Sequence, residues 1–295
     1  MKPRQLLLLL VCGAIFGSTY ALIVGVISPI GAVALVTVRT LVAASVLTIV
    51  CKVKKVPSLS VGLRHIVIFG VASGSITYTF LTLSTQLTDA GTAAVVNSTM
   101  PIFTLVIAVA FGLARATRKG WWGLAICFVG VAIVAQQRAT HLSLGFIVGI
   151  FSGLLGTASY AYSAVYAGRH FAGEPVLRVA LSQQLVSAMT LLPLLLIFPP
   201  RSMPSLGQGA NLLALGIVNT ALAQVLFFLL ISQIGAVRSS YVNYLVPMFG
   251  VLWGWMFLGE PVSLVSYLGI AAVIAGLWML LTPKKELGTP EIKVS

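Results

Sequence analysis

Asn97-Ser98-Thr99-Met100-Pro101 and Asn243-Tyr244-Leu245-Val246-Pro247 are two copies of an Asn-x-x-x-Pro pattern, and they lie 146 residues apart. Both copies stand in long apolar stretches, where Asn and Pro are scarce. An ungapped alignment of the chain on itself in this register gives further identical pairs: Gly70/Gly216, Ala90/Ala236, Val96/Val242, Phe103/Phe249, Phe111/Phe257, Gly123/Gly269, Ala125/Ala271 and Gly130/Gly276. Identical residues at one constant separation indicate an internal duplication.

The composition indicates an integral membrane protein. Of the 295 residues, 59% are apolar and only 8% are charged, whereas a soluble domain carries about 25% charged residues. So few charges cannot cover a water-facing surface, which excludes a soluble enzyme, a nucleic-acid-binding domain and a disordered scaffold. The three cysteines have neither a metal-site nor a disulfide spacing, so we expect no metal and no cofactor.

Ten apolar runs are long enough to cross a bilayer as helices. They are Leu6–Val26, Ile30–Cys51, Ile66–Leu83, Gly91–Leu113, Trp121–Ala135, Leu144–Ala167, Val176–Phe198, Ala210–Leu230, Ala236–Leu258 and Val262–Leu281. Ser28-Pro29 separates the first two runs. Lys2, Arg4 and the leucines after them resemble a signal peptide, but the apolar stretch continues to Val26 without a small-residue cleavage site, which favours an uncleaved first helix.

Five runs fall in each copy of the repeat, and five is an odd number. The second copy must therefore enter the membrane from the opposite side. We predict an all-α protein with ten transmembrane helices arranged as two inverted five-helix repeats, residues 1–137 and 143–282, followed by a cytoplasmic tail, 283–295. Secondary transporters are often built in this way, with a substrate site near the midplane between the halves.

The basic residues give the orientation. Most of the 18 Lys and Arg residues fall in the segments that lie on the same side as the amino terminus. Basic loops face the cytoplasm, so we expect both termini inside and a multi-pass protein of the bacterial inner membrane. This topology, together with anionic lipid, explains the formal net charge of +13 without a nucleic-acid partner.

The chain resembles the drug/metabolite transporter superfamily, in its ten-helix EamA-type branch, from residue 6 to about residue 281. The likeness rests on Phe16-Gly17-Ser18-Thr19-Tyr20, Arg39-Thr40, the stretch from Ala93 to Pro101, the stretch from Arg238 to Pro247, and Leu258-Gly259-Glu260-Pro261. The first copy departs from the pattern, because Leu113-Ala114 stands where Gly-Glu often occurs and the first run lacks the usual tryptophan. Within the branch, the chain is most similar to bacterial exporters of aromatic and neutral amino acids.

Polar side chains inside the apolar runs are the candidates for a transport pathway. Each of them could instead bond a neighbouring helix, but as a set they favour a polar cavity between the halves. Tyrosines in the set offer a ring face for apolar groups and a hydroxyl for polar ones. The predicted substrate-binding residues are Ser18, Tyr20, Arg39, Tyr78, Asn97, Tyr160, Gln183, Gln224, Asn243 and Tyr244.

Arg39 is the clear ionisable residue inside a run, where a charge is costly. Its guanidinium could hold a substrate carboxylate through two hydrogen bonds, or it could bond backbone carbonyls or the loop at Glu260. The acids fall in loops or in the tail: Asp89, Glu174, Glu260, Glu286 and Glu291. Proton-coupled export of cationic drugs needs a buried carboxylate, so this mechanism is disfavoured. For Glu260, at a junction between two runs, we expect a helix cap or an interhelical bond and not a coupling site.

Pro101 and Pro247 stand about ten residues into their runs. A proline there removes a hydrogen bond of the helix and bends it. The pair is a candidate set of hinges for gating, and the alternative is a pair of static kinks that serve packing.

These features favour an exporter of aromatic and other neutral amino acids, with broad tolerance, that works by alternating access through a central cavity. The alternative is export of another small metabolite or drug by the same fold. A membrane-embedded enzyme would need a cluster of catalytic groups at one depth, and a channel would need a selectivity-filter loop; the sequence offers neither. The expected partners are amino acids and the lipid bilayer, with the chain acting as a monomer.

Overall fold

The computed structural model describes residues 1–135, 143–258 and 264–281, and every regular element in these ranges is a helix. The α-helices are α1 Pro3–Ile30, α2 Ala32–Val53, α3 Leu63–Gly70, α4 Thr77–Leu87, α5 Ala90–Asn97, α6 Met100–Ala110, α7 Arg118–Ala135, α8 Leu144–His170, α9 Val176–Leu191, α10 Leu206–Ala214, α11 Ala223–Ser240, α12 Val242–Leu258 and α13 Leu264–Leu281. Two π-helices, Val71–Ile76 and Leu215–Leu222, and a 3-10 helix, Leu192–Leu196, continue them. Glu260 and the tail 283–295 lie outside the described residues.

The all-helical membrane fold is confirmed, and each of the ten predicted runs contains a helix. In the described ranges, eight helices are long and apolar enough to cross a bilayer, and Val242–Trp253 is a shorter apolar helix. The run Trp121–Ala135 lies in α7. Large apolar side chains are exposed on the outer faces, among them Phe151 and Trp278, as expected where lipid replaces water. The count of ten membrane crossings stays a prediction.

The break between the first two helices lies at Gly31 and not at Ser28-Pro29. Pro29 is inside α1, which ends at Ile30, and Gly31 follows with φ 77°. A positive φ causes steric strain in residues with a Cβ but not in glycine, so the chain turns at the glycine. Gly235 has the same conformation, with φ 79°, and marks the boundary between the eighth and ninth runs.

The two π-helices occupy corresponding places in the two halves, each in the third helix of its half. Each one packs against the second helix of the other half: the first on α9, the second on α2. At these crossings Gly70 faces Val186, and its repeat mate Gly216 faces Val42. π-helical segments inside α-helices are frequent at functional sites, because the wider turn changes the direction of side chains.

The helices α7 and α13, which are repeat mates, also pack against each other across the two halves. A Cβ added to Gly130 would lie 2.7 Å from the carbonyl oxygen of Gly269, and one added to Gly276 would lie 2.9 Å from that of Gly123. Gly130 and Gly276 are repeat mates, and so are Gly269 and Gly123, so each contact is the repeat counterpart of the other. Reciprocal contacts of this kind are what a two-fold relation between the halves produces.

Candidate functional site

A cavity of about 60 Å³ lies where both halves meet. Its wall comes from α1, α2, α4, α5 and α8, and from the second π-helix, α11 and α12. The volume corresponds to about four water molecules and is far below the 300–1,000 Å³ that small-molecule sites commonly enclose. The wall must therefore move apart before a solute larger than a few waters enters.

The structure brings most of the predicted site residues together at this cavity. Those that line it are Tyr20, Arg39, Tyr78, Asn97, Tyr160, Gln224 and Asn243. The wall also contains polar residues outside the predicted set: Thr19, Thr77, Thr82 and Asn219. Asn219 carried a usable signal, because it is a strongly polar residue in the middle of the apolar run Ala210–Leu230.

Ser18 and Gln183 lie behind the wall. Asn219 Nδ2 donates to Ser18 Oγ at 2.9 Å and to Thr19 Oγ1 at 3.0 Å, so Ser18 holds a cavity residue in place. Gln183 Oε1 accepts from Gln184 Nε2 at 3.0 Å. Gln184 Nε2 also donates to the hydroxyl of Tyr78, a wall residue, at 3.4 Å, so the two glutamines support the wall from behind.

The expectation that Tyr244 lines the cavity requires correction. Tyr244 is fully buried, and its hydroxyl donates to the carbonyl oxygen of Leu124 at 3.1 Å. Successive residues of an α-helix point about 100° apart, so Asn243 faces the cavity while Tyr244 ties α12 to α7. The Tyr244 hydroxyl therefore forms a hydrogen bond between two helices.

Arg39 is 4% exposed and faces neutral groups. Its Nε donates to Thr220 Oγ1 at 2.9 Å, and its Cζ lies 4.8 Å from the centre of the Tyr78 ring. The two acids of the described ranges bond elsewhere, since Asp89 accepts from Thr92 N at 2.9 Å and Glu174 accepts from Ser60 N at 3.1 Å. A guanidinium stays protonated in proteins, so the cavity wall carries a positive charge without a carboxylate partner among the described residues.

The two copies of the Asn-x-x-x-Pro pattern meet at the cavity. Asn97 Nδ2 donates to Asn243 Oδ1 at 3.0 Å, and Asn243 Nδ2 donates to the carbonyl oxygen of Ser240 at 3.1 Å. In each copy the proline stands four residues after the asparagine and has no N–H to donate to its carbonyl. The spacing thus concentrates polar groups where the two halves touch.

The two prolines differ in their helical setting. Pro101 is in the first turn of α6, after a turn at Ser98 and Thr99, whereas Pro247 is inside α12. The expectation that both prolines interrupt a continuous helix is therefore wrong for Pro101, because a proline in the first turn removes no hydrogen bond that a helix needs. Its span is broken just before it, and such discontinuous helices border the central site of many transporters.

A double-mutant cycle on Asn97→Ala and Asn243→Ala should show coupling of about 0.6–1.7 kcal/mol in the free energy of unfolding. Each single variant leaves the other amide without its partner, so the second substitution costs less than the first. Unfolding of the detergent-solubilised protein measures this. Asn97→Ala combined with Thr157→Val, a pair without a shared bond, is the control and should be additive. Additivity of the asparagine pair would contradict the bond.

The chain matches a family model described as the EamA-like transporter family over residues 4–136 and 147–282. It is similar to a protein of Escherichia coli K12 named "Uncharacterized inner membrane transporter YedA", with 28% identity over 80% of this chain and 77% of that protein. It is also similar to a "Probable terminal-alkyne amino-acid exporter" of Streptantibioticus cattleyicolor, with 25% identity over 68% of each chain.

A solved crystal structure shares the fold. It superposes with a TM-score of 0.77 over 95% of this chain and 97% of that chain, at 15% sequence identity. At this identity the likeness concerns the fold alone.

Proposed function

The chain belongs to the EamA-like transporter family, within the drug/metabolite transporter superfamily, and from this premise we propose that it exports aromatic and other neutral amino acids across a bacterial inner membrane. The family and the names of the relatives indicate a membrane transporter and not an enzyme. The substrate class and the direction are our proposal.

Arg39 is the observation that carries the proposal. Its buried guanidinium bonds a hydroxyl and lies over an aromatic ring. It contacts no carboxylate in the described ranges, so it has donors left for a ligand. Its planar fork matches a carboxylate through two parallel hydrogen bonds. An α-carboxylate is the group that all amino acids share, so one arginine serves a range of substrates.

The remainder of the wall suits a varied side chain. The rings of Tyr20, Tyr78 and Tyr160 line the cavity together with the apolar side chains of Phe16 and Val246. Tyrosine rings pack against apolar and aromatic groups, while their hydroxyls take polar ones. The similarity to a relative named as a probable amino-acid exporter is in keeping with this substrate class.

Alternating access is the mechanism that we propose for this cavity. Two halves with reciprocal contacts can exchange conformations, opening the cavity to either side in turn. The small volume fits a closed state, and Pro101 and Pro247 remain the proposed hinges. In this proposal ten helices cross the membrane as inverted repeats of residues 1–137 and 143–282, both termini are cytoplasmic, and the monomer is the working unit.

Counterflow in proteoliposomes tests the function. Vesicles containing the protein and preloaded with unlabelled phenylalanine should accumulate labelled phenylalanine faster than protein-free vesicles, without an imposed proton gradient. Alanine, leucine and tryptophan inside should also drive the exchange, whereas a cationic dye should not. Exchange with the dye and not with amino acids would refute the proposal in favour of a drug exporter, and saturation of the exchange would argue against a pore.

A further inference from the structure

Two amide oxygens of the cavity wall have no hydrogen-bond partner in the structure: Asn97 Oδ1 and Gln224 Oε1. Asn97 is 7% exposed and Gln224 is 2% exposed, and both residues line the cavity. The nitrogen of each amide is committed, since Asn97 Nδ2 donates to Asn243 Oδ1 at 3.0 Å and Gln224 Nε2 donates to the Tyr160 hydroxyl at 3.3 Å. The group that each amide has left without a partner is therefore an acceptor, and both oxygens are covered in this closed arrangement of the wall.

Buried acceptors without partners are rare because leaving them unpaired is costly. A ligand group that satisfies two acceptors at once must carry at least two N–H or O–H donors. A protonated amine carries three donors and no acceptor, which matches this part of the wall. Because the acceptors are neutral, they bind an ammonium without cancelling the positive charge that attracts the carboxylate to Arg39.

Each of the two amides stands at or near a hydrogen bond that joins the two halves. Gln224 stands one helical turn after Thr220, which accepts from Arg39 Nε at 2.9 Å. Asn97 bonds Asn243 of the second half. Arg39 and the two amides thus line a single small cavity.

We propose that Asn97 Oδ1 and Gln224 Oε1 receive the protonated α-amino group of the substrate, so that the cavity selects zwitterions over plain carboxylic acids and plain amines. The inference rests on the proposed function, because it assigns the carboxylate to Arg39. A carboxylic acid without an amino group leaves both oxygens unpaired. An amine without a carboxylate meets the unbalanced charge of Arg39.

Three ligands with one common ring test the selection: L-phenylalanine, 3-phenylpropionate and 2-phenylethylamine. Calorimetric titration of the purified protein should give phenylalanine a Kd at least about tenfold lower than either analogue, since a hydrogen bond to a charged group changes affinity by that factor or more. Gln224→Leu should weaken phenylalanine about tenfold and leave 3-phenylpropionate within twofold. Gln224→Glu should instead strengthen binding of 2-phenylethylamine.

The control is Thr157→Val, which removes another unpartnered buried oxygen, from a residue that is not part of the cavity wall. It should leave the ratio of the three affinities unchanged. If the wild-type protein binds phenylalanine and 3-phenylpropionate with equal affinity, the inference is overturned whether or not the variants fold. It is also overturned if Gln224→Leu lowers the affinity for both ligands by the same factor. If the wild-type protein binds none of the three and gives no counterflow, the proposed function fails first.

Discussion

Replacing Arg39 with glutamine should reduce amino-acid counterflow by at least about 100-fold, the loss of two charge-assisted hydrogen bonds to a carboxylate. Glutamine keeps part of the length of the side chain and its donor to Thr220, but it removes the charge and the paired geometry. Arg39→Lys keeps the charge and loses the fork, so it should retain a small part of the activity. Initial rates in proteoliposomes, normalised to folded protein, measure the effect.

If Arg39 has only a structural role, a different result is expected. If the guanidinium serves only to join α2 to the second π-helix, Arg39→Gln lowers the unfolding temperature while folded protein exchanges phenylalanine at the normal rate. The control is Arg178→Gln. Arg178 donates from Nη2 to the carbonyl oxygen of Val56 at 2.8 Å and does not line the cavity, so counterflow should stay within about twofold of wild type. Arg39→Gln with unchanged counterflow would refute the assignment of the substrate carboxylate.

Gly130→Ala should destabilise the protein by about 1–3 kcal/mol, the usual cost of overpacking a tight core. The new methyl group would lie 2.7 Å from the carbonyl oxygen of Gly269 and 2.8 Å from Val273 N. Both are backbone atoms that no rotamer change can move aside, so α7 and α13 must separate. Thermal unfolding in one detergent, followed by light scattering and tryptophan fluorescence, measures the loss.

Gly209→Ala is the matched control, because Gly209 is inside α10 and an added Cβ meets nothing within 4 Å. There alanine should leave the stability unchanged or raise it, since it restricts the unfolded chain more than glycine does. Gly276→Ala should repeat the loss seen for Gly130→Ala, because the two positions make reciprocal contacts. Equal unfolding temperatures for Gly130→Ala and Gly209→Ala would show that α7 and α13 tolerate a wider separation.

Much of the fold is predictable from the sequence, because long apolar runs have one stable form in lipid. Each of the ten runs contains a helix, and Asn97 and Asn243, which the 146-residue alignment pairs, are hydrogen-bonded to each other. The family could also be recognised from the sequence, through Phe16-Gly17-Ser18-Thr19-Tyr20, Arg39-Thr40, the stretches that end at Pro101 and Pro247, and Leu258-Gly259-Glu260-Pro261.

The direction of individual side chains was less accessible. A soluble helix shows its inner face by an apolar stripe, but these helices are apolar on nearly every side, so Asn243 and Tyr244 were equally good candidates and only Asn243 lines the cavity. The π-helices shift the register of the third helix in each half without a sequence signal that sets them apart. Asn219, which the second π-helix places in the wall, is a polar residue in an apolar run and could have been predicted on that ground.

The setting of Arg39 has a consequence for the ion gradients of the cell. A fixed positive charge in a narrow hollow inside the membrane raises the energy of every small cation nearby, because the surrounding low-polarity medium screens it poorly. Similar charges keep protons and metal ions out of water-conducting pores. We therefore expect this hollow to conduct neither Na⁺, K⁺ nor hydronium while it holds no substrate, so that the membrane keeps its voltage.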